Sequence, residues 1–268
     1  MKILIINFGW IGDSLLASSL AENCKLNGYE QVDLLLGFPQ TAEMISLNPN
    51  IDNVYVSRVP GCDPVTDGID LSIYDKVYKT RGLKFSKKPL DLFNEDFGFE
   101  NLKYSFELNT HEVAFEDMSK PILAFQLDWN NRSRSATGPR DPNNIVAKLQ
   151  KKYNVFIIGN GSQFDIDENT SENFLLNASA LKNCNVFFGY PGGLHWLAAG
   201  VGTKTVCTSE HVLDHYNNNG EFEGRDFDQF KEQWQVHASK MFPDQEHILL
   251  EPFISDDAIV DYLVQLQF

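Results

Sequence analysis

From one end to the other the chain alternates between short apolar runs and helix-length amphipathic stretches, and few folds accept that rhythm. "KILII" (2–6) reads as a buried strand, followed by a helix from about Asp13 to Leu26 that sets Leu16, Leu20 and Cys24 on one face. "QVDLLLG" is a second strand, "TAEMISLN" a short helix ended by Pro49, "NVYVS" a third strand and "YDKVYK" a fourth. Between about 82 and 118 aromatics, acids and glycine mix without a clear period. The alternation then restarts, with strands at "PILAFQL", "NVFIIG", "NVFFG" and "TKTVCT". Helices are expected at "PNNIVAKLQKKY", "SENFLLNASALKN" and "GLHWLAAGV", and "DDAIVDYLVQLQF" closes the chain as an amphipathic helix. Strands apolar on both faces and joined through helices are parallel strands covered on both sides. The fold class is therefore α/β with doubly wound sheets. Two Rossmann-like domains in series, 1–118 and 119–268, are the economical division, the last helix being free to pack back on the first domain. Facing each other across a cleft, such domains place ligands outside the carboxyl ends of their strands.

Composition narrows the class. A chain of 268 residues, 43% of them hydrophobic, buries a real core and is not expected to be disordered. No run approaches the roughly 18–20 apolar residues of a bilayer span, and the short apolar opening, broken by Gly9 and Asp13, lacks the pattern of a secretory signal. Cys24, Cys62, Cys184 and Cys207 are scattered, as reduced thiols of a cytoplasmic protein would be. A net charge of −15 opposes broad binding to nucleic acid or anionic lipid. Two basic segments stand against that background. "KVYKTRGLKFSKK" (76–88) holds Lys76, Lys79, Arg81, Lys84, Lys87 and Lys88 without an acid, and "NRSRSATGPR" holds Arg132, Arg134 and Arg140. They suit local recognition of anions, or equally two solvated loops.

Chemistry is expected in the loops that follow strands. "NFGWIGDSLLASSL" (7–20) brings Gly9, Gly12 and Asp13 into the turn after the first strand. Asp13 there is either a helix cap or a carboxylate offered to a ligand. "GYPGGLHWLAAG" sets Gly192 and Gly193 at the entry of a helix, with Leu194 and His195 in its first turn. Glycines let backbone amides approach an anion, and the helix end adds partial positive charge, an arrangement suited to a diphosphate. A glycine-rich turn beside a packed histidine satisfies the same residues. "SQFD" (162–165) lies where a nucleotide base or ribose could sit. The triplets "DID" and "DFD" are expected by chance among 37 acids, and His211 and His215 lack an acidic partner for zinc.

Taken together, "MKILIINFGWIGDSLLASSLAENCK", "VDLLLG" and "LNPNIDNVYV" resemble the N-terminal domain of the ADP-heptose:lipopolysaccharide heptosyltransferase family. Members share a strand, a G-x-x-G-D turn, a long helix and a downstream NP-x-I-D-x-V. "GYPGGLHWLAAGVGTKTV" resembles the family's donor motif H-x-x-A-A-x-x-G-T-x-x-V. The likeness covers about the first 60 residues and residues 120–208. It implies a GT-B fold and an inverting, metal-independent glycosyl transfer that uses a nucleotide-diphosphate sugar as co-substrate and no further cofactor. Asp13 falls on the catalytic carboxylate. Gly192, Gly193, Leu194 and His195 fall on the donor-phosphate motif, with Gly12 beside it. Arg132, Arg134 and Arg140 fall where the family carries cations near the diphosphate. Lys79, Arg81 and Lys84 belong to the acceptor-side domain and fit a phosphorylated acceptor, either a saccharide of lipopolysaccharide-core type or the backbone of DNA, as in phage enzymes that glycosylate modified pyrimidines. Where the family has Asp-Ser before the first glycine, this chain has Tyr190 and Pro191. That departure leaves the sugar open and is the best support for a rival class, a nucleotide-sugar-binding module without turnover.

Overall fold

The computed structural model describes residues 1–7, 11–61, 64–80, 96–99, 110, 115, 119–126, 134–135, 138–158, 171–209, 227–228, 230–232, 234–235 and 246–268. The chain divides into two compact units. One comprises Met1–His111 with Glu168–Ala178 and Lys240–Pro243; the other comprises Glu112–Asp167, Ser179–Ser239 and Asp244–Phe268.

The first unit is built on a four-stranded parallel sheet, β1 (Lys2–Ile6), β2 (Gln31–Leu36), β3 (Asn53–Val56) and β4 (Lys76–Lys79), in the order β3-β2-β1-β4. β1 lies between β2 and β4, with Ile3 opposite Val32 and Lys76, and Ile5 opposite Leu34 and Tyr78. Ile3, Leu4, Ile5 and Ile6 are consequently buried on both faces, which is why this strand reads as an unbroken apolar run. β2 carries one polar exception in its middle, the buried Asp33. Its side-chain oxygens accept hydrogen bonds from Tyr74 Oη (2.6 Å), Gln31 Nε2 (2.8 Å) and Asn53 Nδ2 (2.9 Å), so the buried polar atoms are satisfied.

The expected helix over Asp13–Leu26 is in fact two, α1 (Ile11–Ser18) and α2 (Leu20–Leu26). Ser19, between them, keeps right-handed helical angles, so the irregularity is local. Ser18 Oγ donates to the Leu15 carbonyl at 2.7 Å, and Asn48 Nδ2 donates to the Ser18 carbonyl at 3.2 Å. These side chains add hydrogen bonds to carbonyls at this point, while the Leu15 carbonyl keeps its helical bond from the Ser19 N–H at 3.2 Å. α2 ends where Gly28 adopts φ 89°, and the Tyr29 amide donates back to the Cys24 carbonyl at 3.0 Å. α3 (Ala42–Ser46) follows a turn of 3-10 helix at Pro39–Thr41 and leads to β3.

The second unit is a five-stranded parallel sheet. Its strands are β5 (Ile122–Gln126), β8 (Asn154–Ile158), β9 (Val186–Gly189), β10 (Lys204–Cys207) and β11 (His247–Leu249), in the order β11-β10-β9-β5-β8. A two-residue antiparallel pair, β6 (Arg134–Ser135) and β7 (Gly138–Pro139), lies between β5 and α4 (Pro142–Leu149) in the chain. α5 (Ser171–Lys182), whose residues up to Ala178 are counted with the first unit, precedes β9, α6 (Gly193–Gly200) joins β9 to β10, and α7 (Asp256–Gln265) follows β11. The core gathers Leu123, Phe125, Ile145, Leu149, Val186 and Phe188 with Ile259, Val260 and Leu263 of α7. The closing helix thus packs within the second unit, on α4. Polar contacts fix it there: Tyr153 Oη donates to the Leu263 carbonyl, and Lys152 Nζ donates to the Leu266 carbonyl at 2.6 Å. β11, three residues long, lies below the length at which apolar periodicity identifies a strand.

Candidate functional site

Both sheets have a point where the strand order reverses, and open α/β sheets bind ligands in the crevice outside the carboxyl ends of the strands there. In the first unit the point lies between β1 and β4, in the second between β5 and β9.

At the first switch point, Asn7 directly follows β1 and Thr80 directly follows β4, and both are buried. Asn7 Nδ2 donates to Ser14 Oγ at 2.8 Å, and Thr80 Oγ1 donates to Asn7 Oδ1 at 3.3 Å. Ser14 sits in the first turn of α1 beside Asp13, the acidic residue of that turn. Gly12 and Asp13 are half-buried, and Lys79 at the end of β4 is exposed.

At the second switch point, β5 ends at the buried Gln126 and β9 at Gly189. A Cβ on Gly189 would lie 2.4 Å from Gln126 Oε1 and 2.9 Å from Gln126 Cβ, so the approach of these two strand ends requires glycine. The Tyr190 amide lies 3.5 Å from Gln126 Oε1, and the tyrosine ring belongs to the core cluster. Gly192 caps α6, with Gly193 its first residue and Leu194 half-buried in the first turn. His195 is fully buried between aromatic rings, 4.6 Å from Trp196, 5.0 Å from Trp234 and 6.2 Å from His247, centroid to centroid. Neither of its ring nitrogens has a hydrogen-bond partner among the described residues. Burial, with His247 adding to it, pushes the His195 pKa well below its ordinary value, so the imidazole is neutral and offers one donor and one acceptor.

Arg140 has a different setting from the one its sequence neighbourhood suggests. Its side chain is wholly buried, Nη1 donating to Asp256 Oδ1 at 2.9 Å and to the Ile254 carbonyl at 2.8 Å. It fastens the segment ahead of α4 to the start of α7. Arg134 lies in β6, where its backbone alone is described, and Arg132, Arg81, Lys84, Lys87 and Lys88 lie outside the described residues, as do "SQFD", "DID", His211 and His215. Asn7, Ser14, Thr80 and Gln126 were not singled out by motif. The available signal was position, a polar residue at the carboxyl end of a buried strand or at the first turn after it. Among the described residues no group of three or more His, Cys, Asp or Glu is placed to hold a metal ion, and no helix is long and apolar enough to cross a membrane.

No protein-family model matches the chain, and no curated protein matches it. Solved structures do. The E. coli heptosyltransferase WaaC with ADP-2-deoxy-2-fluoro heptose superposes with a TM-score of 0.55 at 11% identity, over 99% of this chain and 99% of that one. A glycosyl transferase family 9 protein from Veillonella parvula gives a TM-score of 0.54 at 12% identity, over 100% of this chain and 90% of that one. The chain has a heptosyltransferase-like fold. At such identities the likeness is one of architecture, and it spans the whole length of the chain. Within the heptosyltransferase-like fold, Asp13 belongs to the first unit and the turn 192–195 to the second, each close in sequence to the reversal point of its own sheet.

Proposed function

We propose that the protein is an inverting, metal-independent glycosyltransferase. In this reading it moves a sugar from a nucleotide-diphosphate donor to a hydroxyl of a phosphorylated saccharide, in the cytoplasm. Its two Rossmann-like domains, divided near residue 118, face each other across a cleft, the first on the acceptor side. One observation carries the reading: both candidate turns begin at the carboxyl ends of strands that flank a reversal point, in a chain whose fold matches heptosyltransferases from end to end.

Asp13 takes the proton of the acceptor hydroxyl as that oxygen attacks the anomeric carbon from the face opposite the diphosphate. The bond from the anomeric carbon to the diphosphate oxygen breaks, its electron pair leaves with that oxygen, and the N–H groups of Gly192, Gly193 and Leu194 at the start of α6 stabilise the resulting charge. His195, neutral, adds a hydrogen bond rather than a charge, so Arg132 and Arg134 supply the cations. Arg140 is left the anchoring role its buried ion pair supports. Lys79, Arg81 and Lys84 meet the phosphate of the acceptor. Because Tyr190 is a core residue where the resembled motif has an aspartate, the sugar is not assigned as heptose.

The test is a thermal-shift screen against ADP-, UDP-, GDP- and CMP-linked sugars, followed by transfer assays with the stabilising donor. Asp13→Ala is expected to lower transfer by about a hundred- to ten-thousand-fold while donor binding survives. Donor binding without turnover in the native chain would mark a binding module instead, and an absence of any stabilising nucleotide sugar would overturn the reading.

A further inference from the structure

Asn7 is wholly buried at the end of a strand whose other interior residues are all aliphatic. A buried amide in such surroundings is costly unless each of its polar atoms is satisfied, and an apolar side chain would fill the space at no such cost. The satisfaction it finds is specific. Its amide nitrogen donates to Ser14 Oγ (2.8 Å), its oxygen accepts from Thr80 Oγ1 (3.3 Å), and its backbone N–H extends the ladder to the Leu35 carbonyl (2.9 Å). Thr80 is held in turn by its own N–H to the Ile6 carbonyl at 2.8 Å. One side chain therefore joins β1, β4 and the first turn of α1 at the place where the sheet order reverses.

Ser14 follows Asp13 directly, so fixing the Ser14 hydroxyl fixes the helical turn that aims the Asp13 carboxylate. Fully satisfied buried networks rigidify what they join. We propose that Asn7 is the positioning residue for Asp13, acting through Ser14. The proposal rests on Asp13 being the base, but it makes a claim about geometry that can be read without turnover.

The experiment compares Asn7→Ala, Ser14→Ala, their double variant and Asn7→Asp in the full chain. Amide hydrogen exchange over residues 12–15 and site-resolved NMR titration of the Asp13 carboxyl are measured beside kcat and KM for the donor found in the screen. Either alanine variant is expected to speed exchange in that first turn. Each should lower kcat about tenfold or more, with KM within about twofold, and the double variant should lose no more than the worse single one, as for residues acting as a unit. Asn7→Asp preserves the shape, lets the Ser14 hydroxyl donate instead, and adds a negative charge to the bonded chain. The Asp13 titration, and with it the acid limb of the kcat/KM profile, should move to higher pH. Should Asn7→Asp not fold, the alanine cycle decides alone. Unaltered exchange in the first turn, losses that simply add, or a kcat that falls only in step with the folded fraction would overturn the proposal. If the native chain transfers no sugar while exchange and titration respond as expected, the transferase reading fails and the coupling of Asn7 to Asp13 stands.

Discussion

Arg140 and Asp256 are separated by 116 residues in sequence and close on each other with the guanidinium wholly buried. Removing one partner of such a pair leaves the other charge uncompensated, a loss of about 3–5 kcal/mol. Arg140→Ala should therefore lower the denaturant midpoint strongly while leaving donor affinity per folded molecule unchanged. A loss of affinity without a loss of stability would return Arg140 to the anion site. His195 supplies a second prediction at this scale. Burial depresses its pKa in the fold, whereas the unfolded chain takes up the proton near the ordinary value of 6.5. Stability from the neutral ring is thus complete above about pH 6.5 and falls as pH drops below it, by at most about 1.4 kcal/mol per pH unit for one proton. Urea titrations at pH 7.5, 6.5 and 5.5 should show a steeper decline for the native chain than for His195→Gln. The basic charge of "NRSRSATGPR" was legible in the sequence; the assignment of Arg140 was not, because its partner lies on another element and only the folded chain brings the two together.

Among the elements, two glycines mark where backbone must approach without a side chain. At Gly37, just after β2, an added Cβ would lie 1.9 Å from the Gly61 carbonyl oxygen, whose backbone cannot swing aside as a side chain can. At Gly189 the nearest obstacles are all side-chain atoms, Gln126 Oε1 at 2.4 Å, Phe187 Cζ at 2.7 Å and Gln126 Cβ at 2.9 Å, which can yield more than backbone can. Gly37→Ala is expected to cost more stability than Gly189→Ala, the latter about 1–3 kcal/mol as for other overpacked sites. Parallel thermal melts would rank the two, and the reverse order would contradict the geometry. Most strands were legible because a strand covered on both faces is apolar along its buried length, as Ile3–Ile6 of β1 and Val186–Gly189 of β9 are. The bond from Asn48 to the Ser18 carbonyl, at the junction of α1 and α2, was not, since the two residues lie 30 apart in sequence. The chemistry-bearing turns were visible as glycine beside a polar residue. Their support, Asn7 to Ser14 and Thr80, was invisible because it rests on pairing between β1 and β4.

At the scale of the whole molecule, the described thiols report on folding. Cys24, Cys184 and Cys207 are all buried, and burial raises the first two to about 12, with Lys76 partly opposing it at Cys24. Thiolate is the reactive form, so alkylation of these three by iodoacetamide should be slow in the native chain and rapid in urea, as followed by mass spectrometry. Fast native labelling at Cys184 or Cys207 would mean that the second unit opens readily.

The anchoring of α7 also bears on how the protein is born. Ile259, Val260 and Leu263 complete a hydrophobic core begun by Leu123 and Phe125, and Asp256 neutralises Arg140. A ribosome must translate more than a hundred residues beyond β5 before those partners emerge. Until then the nascent second unit holds an open apolar surface, a span in which chaperones or neighbouring chains would find it.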